Sequence, residues 1–136
     1  MNTRRFVLAA VAVFIVRFLL NGAFYGYAIH GRTDEISAAH PGLFREVIPA
    51  FAVLDLLTAI LLTYLIVKAG SAFGGGIKGG VTIGLLIAVL CPIIGGLYWF
   101  FSVTWYPADL FAIESVYQLV THAIQGAIAA AIYKTA

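Results

Sequence analysis

From Asp109 to Tyr133 the chain reads DLFAIESVYQLVTHAIQGAIAAAIY. At about 1.5 Å per residue, a helix of this length crosses a hydrocarbon core roughly 30 Å thick. Yet the stretch carries Glu114, Gln118, Thr121, His122 and Gln125. At about 100° per residue these five fall within an arc of roughly 100° on one side of a helix. The opposite side is Leu, Ile, Val and Ala. A membrane helix with one polar stripe must turn it away from lipid, against partner helices or an internal cavity. The remainder of the chain is read as the source of that shelter.

Composition supports the membrane class. The 136 residues are 62% hydrophobic and 10% charged, with a mean hydropathy of +1.02. A soluble domain carries about 25% charged residues. The net charge of +2 is small, and no basic run is interleaved with aromatics, which excludes nucleic acid as a partner class. The single Cys91 leaves no intramolecular disulfide to form.

Four spans follow from the apolar runs. The first covers about residues 5–27. Its basic start resembles a signal peptide, but Arg17 interrupts the apolar region and no A-x-A site follows. Arg17 and Asn21 share a face. Gly22 and Gly26 form a small-residue pair that permits close helix contact. Residues 28–46 are polar, with Gly31 and Pro41-Gly42, and read as a loop with one short helix after Thr33. The second span covers 47–68, with Pro49 in its first turn and Asp55 about a third of the way in. Residues 69–80 are glycine-rich and read as a flexible connector. The third span covers 79–102. Gly76, Gly80, Gly84 and Ala88 recur every four residues and give a smooth face for a neighbouring helix or a second copy. Pro92 kinks this span by freeing the carbonyl of Ala88. Tyr98, Trp99, Trp105 and Tyr106 form an interfacial belt, and Pro107 starts the fourth span, 109–133.

An even number of spans puts both termini on one side, with Arg4, Arg5, Lys68, Lys78 and Lys134. The other side carries Arg32 and Arg45 beside Asp34, Glu35, Glu46 and Asp109. This bias predicts a multi-pass protein of a bacterial inner membrane with both termini cytoplasmic. The fold expected is an all-α, antiparallel four-transmembrane-helix bundle.

Depth counting gathers the ionisable residues. Arg17 and Asp55 lie about 15 Å and 12 Å below the outer boundary, Glu114 about 8 Å and His122 about 20 Å. An unpaired Arg at the centre of a membrane helix costs about 2.5–3.5 kcal/mol on insertion scales. An Arg17–Asp55 pair is therefore expected, with Glu114 as second or alternative partner. The buried polar cluster comprises Arg17, Asn21, Asp55, Glu114, Gln118, His122 and Gln125. It fixes helix register, or it lines a proton- or ion-linked path.

Other patterns carry less. His30, Asp34, Glu35, His40 and Glu46 match no metal spacing and read as solvated loop residues. The glycines at 74–76 and 79–80 lack the lysine and hydroxyl of a phosphate loop. No arrangement of nucleophile and base is present, so no catalytic residue, metal or cofactor is assigned.

Three segments carry a resemblance: NGAFYGYAIHG at the end of span one, the glycine-rich approach to span three, and IESVYQLVTHAIQGAI in span four. The chain resembles a family of small bacterial four-span membrane proteins grouped as a domain of unknown function. That resemblance implies the architecture and supplies no catalytic residues. The function expected is that of a non-enzymatic membrane protein, an accessory subunit or a binder of a small lipophilic ligand. Its partners are the bilayer and a second copy or larger membrane complex. A dry, fully paired polar core would fit this reading. The alternative is a small proton-coupled transporter or channel acting as a homodimer, with a cavity reaching Glu114 and Asp55 from one side.

Overall fold

The structure is a computed structural model that describes residues 2–42 and 48–134; those residues form helices, turns and short connections without strands. Helix α1 spans Thr3–Ala23. It is capped by Asn2, whose side chain accepts from the Arg5 N–H at 3.1 Å. It runs on through a π-helical turn, Phe24–Ala28, in which the Ile29 N–H reaches back to the Phe24 carbonyl. Helix α2 covers His30–Ala39, so the short helix starts ahead of Thr33. Helix α3 covers Ile48–Ala69. The expected start of this span at Val47 lies outside the described residues, as do Arg45 and Glu46.

The glycine-rich stretch is ordered, contrary to the flexible connector expected. A 3-10 turn takes Gly70–Phe73, and α4 begins at Gly76 and runs to Ala88. Only Gly74 and Gly75 lie between, at φ +100° and +67°. Those angles favour glycine because a Cβ there would crowd the backbone. After α4, a π-helical turn at Val89–Ile93 contains Pro92. Proline has no N–H for the Ala88 carbonyl, and the wider turn absorbs the gap. Helix α5 covers Ile94–Ser102 and α6 covers Ala108–Tyr133.

Among the described residues, three continuous helical segments are long and apolar enough to cross a membrane: Thr3–Ala28, Pro49–Phe73 and Gly76–Ser102. Helix α6 has 26 residues, but its polar stripe keeps it out of that apolar set. The exterior is greasy: Phe101 is 81% exposed and Leu61 61%. The interior holds Asp55 at 6%, His122 at 3% and Gln125 at 0%. Burying polar groups while exposing large apolar ones inverts the arrangement of a water-soluble domain. With the three apolar segments, it marks the protein as membrane-embedded.

Helix α6 is central. It packs chiefly against α4 and α1, and less extensively against α3. Val13, Ala59, Leu62, Ile66, Ile83, Ala129 and Ala130, from α1, α3, α4 and α6, form one core cluster. A smaller one joins Ile29, Ile36 and Leu110 beneath α2, against Phe24, Trp105 and Tyr106. At the opposite end the Asn2 N–H donates to the Tyr133 hydroxyl at 3.0 Å, tying the start of α1 to the end of α6.

The smooth face is real but shifted. A Cβ on Gly80 would come within 3.0 Å of the Gly126 carbonyl, and one on Gly126 within 3.0 Å of the Gly80 carbonyl. Gly84 stands in the same relation to the His122 carbonyl, and Ala88 is fully buried. This face therefore meets α6 within the monomer. Gly76 does not take part: it is the first residue of α4, at φ +49°, with nothing near its Cβ position. Gly22 and Gly26 also face open space rather than a packed neighbour.

Candidate functional site

The polar interior has two parts. The first is built on α1, α3 and α6. Arg17 Nε donates to Asp55 Oδ1 at 2.6 Å. One turn along α1, Asn21 Nδ2 donates to both carboxylate oxygens, at 2.9 Å and 3.0 Å. The Asn21 carbonyl oxygen in turn accepts from the Tyr117 hydroxyl at 2.7 Å. The Tyr117 ring stacks on Phe24, with centroids 3.8 Å apart and planes 6° from parallel. Asp55 thus accepts from two donors on the facing helix, as an ionised carboxylate buried from water requires.

The other side of the Arg17 guanidinium turns to α6. Nη1 lies 3.4 Å from His122 Nε2 and 3.4 Å from Gln125 Oε1. His122 Nδ1 is 2.9 Å from the Gln118 carbonyl. A carbonyl only accepts, so Nδ1 is assigned the proton and Nε2 offers its lone pair to the guanidinium. The Gln125 amide nitrogen and the Thr63 hydroxyl are buried without a partner among the described residues.

Glu114 belongs to the second part and is not the partner of Arg17. Its carboxylate accepts from the Tyr106 hydroxyl. No ion pair engages it among the described residues, whose ion pairs are Arg17–Asp55, His30–Asp34, Arg32–Glu35 and Arg32–Asp109. Asp55 is already held by Arg17 and Asn21, and Glu114 lies two turns nearer the start of α6 than His122. The shared depth anticipated from residue counting did not translate into contact.

Two cavities adjoin these groups. One, of about 410 Å³, lies between α3, the Pro92 turn and α6, with leucines 61, 62 and 65 on one wall and Arg17, Gln118 and His122 on the other. The second, of about 500 Å³, is walled by Tyr25, Trp99, Trp105, Tyr106, Phe111 and Glu114 among others. Pro92 and Gln118 line both. Asp55 is in neither wall among the described residues, and Glu114 lines the second.

Of the seven residues of the expected cluster, Arg17, Asn21, Asp55, His122 and Gln125 form one connected group. Gln118 joins it through its backbone and also borders both cavities, while Glu114 stands apart. Sequence reading missed Tyr117, Tyr25 and Tyr106. A tyrosine near a span end reads as an interfacial anchor, and only the Tyr117 position, four before Thr121 on the striped face, signalled otherwise. On the α2 helix, His30 lies 3.4 Å from Asp34, and Arg32 reaches Glu35 at 3.1 Å and Asp109 at 3.0 Å. Comparisons with family models, with curated proteins and with solved structures give no match, so the site is interpreted from its own geometry.

Proposed function

We propose that this chain is a four-span antiparallel bundle of a bacterial inner membrane, both termini cytoplasmic, that binds a small lipophilic ligand without transforming it. In this reading α6 is the fourth span, its stripe sheltered by α1, α3 and α4. The resemblance to small four-span bacterial proteins accords with that architecture. The observation that carries the reading is the pair of cavities beside the polar interior, apolar over most of their walls with a few polar groups at fixed places. Small-molecule sites have that build, at about 300–1,000 Å³.

The test is native mass spectrometry of the intact chain released from membranes in mild detergent. A reproducible adduct of small-molecule mass, lost on harsh delipidation and restored from the extract, supports the reading. A bare chain that takes nothing back from the extract counts against it. A reporter fused after Ala136 that is active only in the cytoplasm supports the topology.

A second reading, a proton-coupled transporter acting as a homodimer, draws on the placement of Glu114 in a cavity wall. It requires proton flux into proteoliposomes on addition of substrate. A chain that binds ligand but moves no protons removes it.

A further inference from the structure

The second cavity has a wall chemistry of its own. Tyr25, Trp99, Trp105, Tyr106 and Phe111 supply five aromatic rings, and Glu114 is the one acidic side chain among the described residues. Among the described residues, no Lys or Arg lines it. Trp99 and Trp105 meet edge to face with centroids 6.1 Å apart, and Trp105 and Tyr106 do so at 5.6 Å. These rings thus pack edge to face along one wall.

Charge separates the classes of occupant. An anion would add negative charge beside Glu114 in a low-dielectric setting, where like charges repel strongly. A hard divalent ion wants six or more oxygen ligands, and the wall offers one carboxylate. An organic cation meets both features at once: aromatic faces attract it through their quadrupoles, and a carboxylate without an ion pair supplies the opposite charge.

Resting on the ligand-binding reading, we propose that this cavity is a site for a lipophilic organic cation, with Glu114 as counter-charge and Trp99, Trp105, Tyr25, Tyr106 and Phe111 as an aromatic cage. Quaternary ammonium and arylphosphonium ions are the fitting class. They carry delocalised or shielded charge and lose little hydration on entering an apolar site.

The chain carries its own reporter. Its two tryptophans, Trp99 and Trp105, both stand in the cavity wall. The experiment titrates the full chain in phosphatidylglycerol nanodiscs with tetraphenylphosphonium, tetraphenylborate and triphenylphosphine oxide, following tryptophan fluorescence. The first two share a shape with opposite charge, and the third is neutral. Saturable quenching by the phosphonium, at least about tenfold tighter than by the other two, is expected. Glu114→Gln, which keeps the size of the side chain without the charge, is expected to weaken it by about tenfold or more, and Glu114→Asp to retain most of it.

Equal saturable binding of all three probes, or tighter binding of the borate, overturns the cation class and leaves the ligand-binding reading standing. Saturable binding of none overturns both. Phosphonium binding undiminished in a folded Glu114→Gln chain also overturns the assignment. Phosphatidylcholine nanodiscs, compared with phosphatidylglycerol ones at about 1 M salt, where surface charge is screened within about 3 Å, separate two sources of the same chemistry. A raised apparent Kd there means that the cage takes a choline headgroup, and an unchanged one that it takes free cations.

Discussion

Asp55 Oδ1 sits 2.6 Å from Arg17 Nε, with the Asp55 side chain 9% exposed and that of Arg17 15%. Both charges have left water, so the pair is favourable only while both members remain. Removing one leaves a buried charge without its partner, which costs about 3–5 kcal/mol. Asp55→Asn is therefore expected to lower unfolding free energy by that amount in a detergent-unfolding titration followed by circular dichroism. The double variant Arg17→Met with Asp55→Leu should lose much less than the sum of the two single losses. Additive losses would mean that the two side chains act independently and that the geometry carries little energy.

The Tyr117 hydroxyl extends this pair by one step through Asn21, at 2.7 Å. Tyr117→Phe keeps the ring stacked on Phe24 and removes one donor. The Asn21 carbonyl oxygen then loses its partner, at a cost of about 1–3 kcal/mol. The expected result is a loss of that size, with the helical signal unchanged. No loss would show that the Asn21 oxygen finds another donor when the hydroxyl is gone.

Much of this arrangement is written in the chain. A 20-residue apolar run can only be a membrane helix or a fully buried one, and the five-residue stripe on 109–133 dictates which side of α6 turns inward. Depth counting brings Arg17 and Asp55 to nearly one level, because an antiparallel pair of spans converts residue number directly into height. Counting gives height and not azimuth, however, so it cannot tell whether Glu114 also reaches Arg17. Its actual neighbour, Tyr106, lies eight residues earlier across the Pro107 connection, where no periodicity rule applies. The same limit explains Gly76. A four-residue spacing extends backward without marking where the helix begins, and the helix begins at Gly76 itself. Gly126 gives no signal in the sequence, because one glycine in a polar-striped helix makes no pattern until its partner, Gly80, is known.

The reciprocal fit of Gly80 and Gly126 has a measurable consequence. Each lacks room for a Cβ against the other's carbonyl, so α4 and α6 approach backbone to backbone. Gly80→Ala and Gly126→Ala should each destabilise the chain by about 1–3 kcal/mol, as overpacking does. Together they should fall short of additivity, since one helix shift relieves both. Gly22→Ala and Gly95→Ala, with open space at the Cβ position, should leave stability unchanged or raise it by up to about 1 kcal/mol through helix propensity. A uniform response across all four sites would refute the close approach.

Pro92 borders both cavities and sits within the π-helical turn Val89–Ile93, where the Ile94 N–H donates to the Val89 carbonyl. The turn widens the helix and sets Pro92 in the walls of both cavities, the one beside Arg17 and the one beside Glu114. Pro92→Ala restores an N–H that can bond to the Ala88 carbonyl and lets α4 and α5 run straight as one α-helix. Stability should then hold to within about 0.5 kcal/mol or improve. Phosphonium quenching of Trp99 and Trp105 should weaken by about tenfold, equivalent to roughly 1.4 kcal/mol of lost fit. The two readouts moving in opposite senses would identify the proline as the residue that keeps the cavities open. Parallel losses would instead make it a packing residue, whose removal harms the fold as a whole.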